Sequence, residues 1–209
     1  MPKIKRGPLI FWKWYMQRQS GLRYLDPTLP LQPYLYPFLP HKSEVEIADL
    51  GSGAVTFLGY KHPSIEVYVY PSDILAFEYA DLLHHMRLTP VVPVAYQDMT
   101  KLTYPDNTFD IVHCSNALDH CADPVSAIRE AIRVCRSGGW VYLRHKLNEA
   151  THMNFTGQHR WNIDQSGSLT DRDGKVSPIV HFRFCTSVVP NPKHGKPKLV
   201  VSTLCKGFA

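Results

Sequence analysis

The stretch Val45-Glu46-Ile47-Ala48-Asp49-Leu50-Gly51-Ser52-Gly53 decides the fold that the sequence predicts. Its apolar, β-branched first half indicates a buried strand of a mainly parallel sheet, which ends at an acid and two glycines. The glycines allow a tight turn and a close approach of the backbone to a bound group. Ligands of such sheets collect outside the carboxyl ends of the strands. The loop is therefore predicted to border a ligand, although a two-glycine turn also occurs without one.

Strands and helices are predicted to alternate after this loop. The next four predicted strands are rich in apolar residues and span 65–70, 91–96, 109–114 and 140–143. One helix is predicted with Asp73 as its cap, and another begins after Asp123 and stops at Gly138-Gly139. Five strands joined by helical crossovers predict a doubly wound α/β sheet. A hairpin within 161–174 and two strands at 180–186 and 198–204 are predicted to follow.

The length of 209 residues suits one well-buried domain. Residues 1–41 are predicted to form an aromatic and basic segment followed by a proline-rich strap or lid, and residues 42–209 the main domain. No apolar run approaches the roughly 18 residues that a spanning helix needs, so no integral membrane segment is predicted. The aromatic and basic segment remains compatible with peripheral contact to a membrane.

Charge and cysteine content narrow the partners that the sequence favours. The net charge of +5 is concentrated near both ends of the chain, which fits solvated ends as well as an anionic partner.

The five cysteines are odd in number and have no C-x-x-C spacing, so neither a disulfide framework nor a zinc site is predicted. We therefore expect no metal and a reducing, cytoplasmic location, and no oligomeric state is predicted.

Asp73 points to the kind of ligand, because it follows Gly53 by 20 positions at the end of the second predicted strand. An acid at that place can accept hydrogen bonds from both hydroxyls of a ribose. A nicotinamide dinucleotide is disfavoured, since counting G-x-G-x-x-G from Gly51 places Thr56 at the third glycine. No Walker phosphate loop is present in the sequence either.

Six short motifs resemble those of the class I S-adenosylmethionine-dependent methyltransferases in order and spacing. They cover roughly residues 45 to 145 and are Ala48-Asp49-Leu50-Gly51-Ser52-Gly53, Asp73, Gln97-Asp98-Met99, Asn107-Thr108-Phe109-Asp110-Ile111-Val112, Ser115-Asn116-Ala117-Leu118-Asp119-His120 and Arg133-Val134-Cys135-Arg136-Ser137-Gly138-Gly139. The resemblance implies a Rossmann-like, mainly parallel seven-stranded sheet with a terminal antiparallel strand pair. It also implies S-adenosylmethionine as the cofactor.

The same resemblance implies which residues hold that cofactor. They follow the ends of predicted strands: Asp49, Gly51, Ser52 and Gly53 at its amino-acid end, Asp73 at its ribose, Ile74, Asp98 and Met99 at its adenine, and Asn116, Ala117 and Leu118 at its sulfonium. The sequence departs from the family pattern in having no third glycine in the loop. A short segment at 54–59 also stands where the family usually has a longer helix.

The chemistry of methyl transfer sets the remaining requirement. The sulfonium methyl is already activated, so the protein mainly positions a nucleophile and excludes water. A general base is needed only if the acceptor still holds its proton, and histidine suits that role near neutral pH. His120, His145 and His159 are the candidate bases, since each lies close to a predicted strand end or within the aromatic and amide-rich segment 154–162.

Three functions are weighed on these features. The first is O-methylation of a small molecule or glycan, which fits the cofactor motifs and the aromatic, histidine-rich carboxy-terminal half. The second is methylation of RNA or protein. For nucleic acid this is disfavoured, because Asn116-Ala117-Leu118-Asp119 stands where amino-group methyltransferases of bases commonly have Asn/Asp-Pro-Pro-aromatic. The third is a non-catalytic binding protein that retains the fold.

Overall fold

The computed structural model describes residues 6–177, 184–191 and 198–207, with the backbone alone at Arg6 and Ser177. Its centre is a seven-stranded sheet in the order β3-β2-β1-β4-β5-β10-β9. These strands are β1 (Glu44–Leu50), β2 (Glu66–Asp73), β3 (Ala95–Tyr96), β4 (Phe109–Ser115), β5 (Cys135–Lys146), β9 (Cys185–Val189) and β10 (Leu199–Cys205). The first five are parallel, whereas β10 runs antiparallel to β5 and β9. The predicted doubly wound sheet with a terminal antiparallel pair is confirmed.

Five α-helices lie within the described residues. They are α1 (Arg6–Met16), α2 (Gln19–Leu22), α3 (Ala76–His85), α4 (Pro124–Val134) and α5 (Glu149–His152). The predicted cap of α4 is confirmed, because Asp123 Oδ1 accepts from Ser126 N at 3.0 Å. None of the helices within the described ranges is long and apolar enough to cross a membrane.

The predicted end of α4 at Gly138-Gly139 is wrong. The helix ends at Val134, and both glycines lie inside β5. Asn107 N and Thr108 N donate to the carbonyls of Arg133 and Val134, so residues far away in sequence satisfy the end of the helix. Gly138 has φ +78, which suits the irregular pairing of β5 with β4 at this point.

The prediction that Asp73 caps the following helix is also wrong. Strand β2 continues to Asp73, and Leu75 occupies the N-cap position of α3. Asp73 Oδ1 accepts from Leu75 N at 2.9 Å, and its Oδ2 accepts from Gly53 N at 3.0 Å. The carboxylate thus ties the end of β2 to the glycine loop rather than starting a helix.

A small three-stranded sheet lies in the chain between β5 and β9, where the sequence predicts a single hairpin. It contains β6 (Asn162–Ile163), β7 (Leu169–Thr170) and β8 (Val176–Ser177), in that order. The predicted turn at 171–174 connects β7 to β8. The strand predicted at 180–186 lies partly outside the described residues.

The proline-rich segment packs against the main sheet. Leu29, Leu31 and Leu35 are buried in one cluster with Val45 and Ile47 of β1. Two backbone hydrogen bonds, Leu31 N to Lys61 O at 2.7 Å and Gln32 N to Leu58 O at 2.8 Å, hold the segment in place. The segment therefore shares a hydrophobic core with the sheet. The division of the chain between residues 41 and 42 stays a prediction.

Candidate active site

The glycine loop after β1 is enclosed on two sides. Gly51 and Gly53 have φ +67 and +75, which side-chain-bearing residues rarely adopt. A Cβ at Gly51 would lie 2.4 Å from Ala117 Cβ, and one at Gly53 would lie 2.1 Å from Trp12 Cζ2. The loop therefore needs glycine for its conformation and for its close packing against the segment after β4 and against α1.

Asp49 lies beneath this loop and is buried. Its Oδ1 is 2.7 Å from His113 Nδ1, and its Oδ2 accepts from Thr56 Oγ1 at 2.6 Å. His113 stands beside Asp49 in the register of β4 against β1, and its Nε2 is 3.3 Å from the hydroxyl of Tyr34. These contacts suit Asp49 to holding the loop in shape, and its direct contact with the cofactor stays a prediction.

Asp73 and its neighbours form the next part of the site. Burial raises the pKa of the Asp73 carboxyl, while the N–H groups of Leu75 and Gly53 lower it. Gln97 N donates to Asp73 O at 3.3 Å, which brings the segment of Asp98 and Met99 alongside. Asp98 Oδ1 accepts from Thr100 N at 2.9 Å and from Thr100 Oγ1 at 2.7 Å.

These residues fit S-adenosylmethionine. Each oxygen of Asp73 has lone pairs beyond its one backbone hydrogen bond, so both can accept from ribose hydroxyls. Ile74, next in the chain, leaves 52% of its surface exposed and offers an apolar face to an adenine ring. Asp98 engages Thr100 through Oδ1, which leaves Oδ2 as an acceptor for an adenine amino group. Ser52 N is bound to Ser72 O at 3.0 Å, so the loop is anchored to β2.

The segment after β4 is held in an unusual backbone conformation. Asn116 has φ +50. Its backbone N–H donates to Arg144 O, with an N···O distance of 3.0 Å, and to His145 Nδ1, with an N···N distance of 3.1 Å. Its side-chain Oδ1 accepts from Lys146 N at 3.0 Å. Ala117 and Leu118 follow and are buried. Strand β5 thus fixes Asn116, Ala117 and Leu118 at the carboxyl end of the sheet, beside Gly51.

His145 has a geometry that is inconsistent with its predicted role as a base. Its Nδ1 accepts from Asn116 N, so the ring proton is on Nε2, which is buried without a hydrogen-bond partner among the described residues. Burial lowers the pKa of His145 to about 4, against the raising effect of Asp119. The ring offers no free lone pair to an acceptor, and it positions Asn116 instead.

The other two candidate histidines meet at Asp119. The Oδ2 atom of Asp119 lies 2.6 Å from His159 Nδ1 and 3.4 Å from His120 Nε2, and the two nitrogens are 3.3 Å apart. Burial alone would raise the pKa of Asp119, but the hydrogen bond from His159 and the neighbouring histidines lower it below its ordinary value. The carboxylate therefore stays ionised between two imidazoles.

A cavity of about 230 Å³ borders this cluster, lined by Phe155, His159, Arg160, Asp171, Arg172 and Asp173. His159 belongs to both the cavity and the cluster. Asp119 directly follows Leu118, so the cluster and cavity adjoin the segment predicted to border the sulfonium.

Sequence reasoning missed Asp119 and His113 as site residues. Asp119 is 40 positions from His159, and nothing in the sequence shows that the two meet. The expectation that no metal site exists rested on cysteine spacing, which cannot detect a group of one aspartate and two histidines. Asp119, His120 and His159 each offer one ligand atom, and these atoms lie within 4.8 Å of one another.

Comparison with known proteins agrees with this architecture. Residues 48–143 match the family model described as a methyltransferase domain. An uncharacterized methyltransferase of Schizosaccharomyces pombe is 54% identical over 41 residues, which are 20% of this chain and 15% of that protein. The chain thus spans less than a fifth of the length of that curated relative.

Two solved structures share the fold at low sequence identity. A S-adenosylmethionine-dependent methyltransferase from Methanosarcina mazei is 17% identical, with a TM-score of 0.53 over 87% of this chain and 100% of that one. A protein described as the [4+2]-cyclase SpnF is 14% identical, with a TM-score of 0.55 over 97% of this chain and 94% of that one. The family match and the sheet order together identify residues 48–143 as the core of a class I methyltransferase domain, whose cofactor is S-adenosylmethionine.

Proposed function

We propose that the protein transfers the methyl group of S-adenosylmethionine to a hydroxyl oxygen of a small molecule or glycan. The observation that carries this proposal is the cluster of Asp119, His120 and His159, which directly follows Leu118 and borders a cavity. A methyl acceptor that is a hydroxyl must lose a proton, and an ionised carboxylate between two imidazoles is suited to removing it.

The chain's own residues supply positioning in this scheme. The cofactor brings a methyl group already activated on sulfur, and S-adenosylhomocysteine is left after the methyl carbon bonds to the acceptor oxygen. Asn116 and Ala117 hold the end of β4 beside Gly51, while Trp12 covers Gly53 and excludes water from that side. The acceptor lies in the cavity, with its hydroxyl toward His159, and the hydroxyl proton leaves through the cluster.

The cavity also supports the class of acceptor. Arg160 and Arg172 line it together with two aspartates and Phe155, so it offers hydrogen-bond donors, acceptors and one aromatic face. Sugars and phenols use all three kinds of contact.

The five cysteines are free thiols, which supports a reducing, cytoplasmic location.

Methyl transfer from labelled S-adenosylmethionine to defined acceptors tests the proposal. Sugar nucleotides, simple glycosides and catechols represent the proposed class, while total RNA and an unfractionated protein extract represent the alternatives. We expect label in an O-methyl group of the first set, and a loss of about 100-fold or more in His159→Asn with cofactor affinity retained. His84→Asn, on the exposed surface of α3, is the matched control.

Label transferred to RNA or protein alone would contradict the acceptor class. Binding of S-adenosylmethionine with no transfer to any acceptor would favour a non-catalytic protein of this fold. Absence of cofactor binding in calorimetry, or binding that Asp73→Ala leaves unchanged, would contradict the whole proposal.

A further inference from the structure

Three ligand atoms converge at the end of β4. The distances between Asp119 Oδ2, His120 Nε2 and His159 Nδ1 are 2.6, 3.3 and 3.4 Å. Two ligands of one tetrahedral zinc ion are separated by about 3.3 to 3.6 Å, since zinc bonds to nitrogen or oxygen are about 2.0–2.2 Å long. Two of the three distances lie in this range, and the third is a carboxylate–imidazole hydrogen bond that must open by about 0.7 Å to admit an ion.

The three atoms form a closed triangle, two sides of which are hydrogen bonds in the metal-free protein. In a simple dyad one imidazole binds the carboxylate, and a second histidine is not required nearby. Here each of the three atoms lies within 3.4 Å of both others. One carboxylate oxygen and two imidazole nitrogens this close together, once the nitrogens have lost their protons, are the donor set of a metal site with two nitrogens and one oxygen.

The protein holds this triangle through bonds that do not involve the ligand atoms. Asp119 O accepts from Arg160 N at 2.8 Å and from Trp161 N at 3.3 Å. Trp161 Nε1 donates to Cys121 O at 2.9 Å. The segments around residues 120 and 160 are thus joined on either side of the cluster, which preorganises the three side chains.

The surroundings leave room for further ligands. The side chain of Asp119 is 6% exposed, whereas those of His159 and His120 are 20% and 34% exposed. The charge is therefore buried beneath two partly accessible imidazoles, and His159 borders the cavity of about 230 Å³. An ion bound by three protein atoms keeps one or more positions for oxygen atoms from that side.

We propose that Asp119, His120 and His159 bind a divalent transition-metal ion of the zinc type, with open coordination positions toward the cavity. Two imidazoles favour such an ion over Mg²⁺, which prefers oxygen ligands. Its catalytic meaning rests on the proposed function. With an ion bound, the three ligand atoms would hold the metal and would no longer take up the acceptor's proton. The ion would instead bind the acceptor hydroxyl and make it more acidic; its proton would pass to solvent, and the oxygen would bond to the methyl carbon as the sulfur–methyl bond breaks.

Metal titration of the purified full chain tests the site without any acceptor. After dialysis against EDTA, calorimetry with ZnCl₂ is expected to show one ion per chain, and MgCl₂ is expected to bind far more weakly. Asp119→Asn and His159→Gln should each lower zinc affinity by about 100-fold or more, as expected for removal of a ligand. CoCl₂ should give a visible absorption band that His120→Gln abolishes.

A double variant, His84→Gln with His85→Gln, is the matched control. His85 Nδ1 lies 3.4 Å from Asp81 Oδ1 on the exposed surface of α3, which is an imidazole–carboxylate pair without the third converging ligand. Its zinc affinity should equal that of the unaltered protein. Circular dichroism and S-adenosylmethionine binding show whether each variant is folded, and His159→Gln serves if Asp119→Asn is not.

The outcomes separate this proposal from the proposed function. Zinc that does not bind at one ion per chain, or binds equally to the folded cluster variants, overturns the metal site and leaves methyl transfer standing. Zinc binding that depends on the cluster, without methyl transfer to any acceptor, supports the site and contradicts the proposed function. Transfer that is unchanged after EDTA overturns the ion's part in holding the acceptor.

Discussion

The cofactor side and the acceptor side of this site are built in different ways. The glycine loop follows β1, Asp73 ends β2 and Asp98 follows β3, and each is recognisable from its own short motif. The acceptor side joins Asp119 and His120 to His159, about 40 positions later in the chain and outside the matched region 48–143. Local motifs therefore predict the cofactor side, whereas long-range contacts build the side where we propose that the acceptor binds.

The two sides differ in what fixes their residues in place. The parallel strands bring their carboxyl ends to one edge, so the cofactor residues follow from topology. The cluster depends instead on long-range hydrogen bonds such as Trp161 Nε1 to Cys121 O. The fold is shared with a protein described as a cyclase, so the cluster rather than the sheet carries information on the reaction.

The largest effect is expected in the proline-rich strap, whose leucines pack against the main sheet beneath both sides of the site. Leu35 is fully buried against β1, so Leu35→Ala should lower the free energy of unfolding by about 2–5 kcal/mol. Urea denaturation followed by tryptophan fluorescence measures this, and Tyr36→Ala, at an exposed neighbour, is the control. Two separate unfolding transitions would contradict the shared core and would support a division near residue 41.

The cofactor side alone should respond to Gly53→Ala. A side chain held at φ +75 costs about 1–3 kcal/mol and would collide with the Trp12 ring, so affinity for S-adenosylmethionine should fall by about 10- to 100-fold. Gly174→Ala is the matched control, since that glycine has φ +78 with nothing within 4 Å of its Cβ position. Zinc binding at the cluster should stay unchanged. Recovery of affinity in Gly53→Ala with Trp12→Ala would identify the collision as the cause.

The acceptor side alone should respond to Trp161→Phe. This change removes the hydrogen bond to Cys121 O and little else, so zinc affinity should fall about fivefold, equivalent to about 1 kcal/mol. Calorimetry with S-adenosylmethionine should give the same affinity as before. Trp14→Phe on α1 is the control, and a larger effect on the cofactor than on zinc would break the distinction between the two sides.

The smallest effect should come from Asp110, at the opposite end of β4. Burial raises the pKa of Asp110, but hydrogen bonds from Glu46 N, Lys42 and Arg136 lower it below its ordinary value. Its contribution to stability is therefore present above about pH 4 and lost as the pH falls through the folded-state pKa. Unfolding measured from pH 6 to pH 2 should depend less on pH in Asp110→Asn, while neutral-pH affinity for the cofactor stays unchanged.

Some features of the fold follow from the local sequence pattern, and others do not. Val45 to Gly53 predict a strand and its glycine loop from local pattern, and Asp123 predicts a helix cap three residues before Ser126. The end of α4 is different, because Asn107 and Thr108 satisfy its last carbonyls and override the signal of Gly138-Gly139. His145 is predicted as a base from its position at a strand end, yet its Nδ1 is taken by Asn116 N.

The sequence alone predicts the strands of the main sheet, the glycine loop, and the acids at the end of β2 and after β3. These depend on periodicity and on backbone conformations that only certain residues adopt, which are properties of neighbouring residues. Only the tertiary structure decided that Asp49 faces His113, that Trp12 covers Gly53, and that Asp119 joins His120 to His159. Side-chain contacts of this kind depend on sheet register and long-range packing, which cannot be predicted from a local sequence pattern.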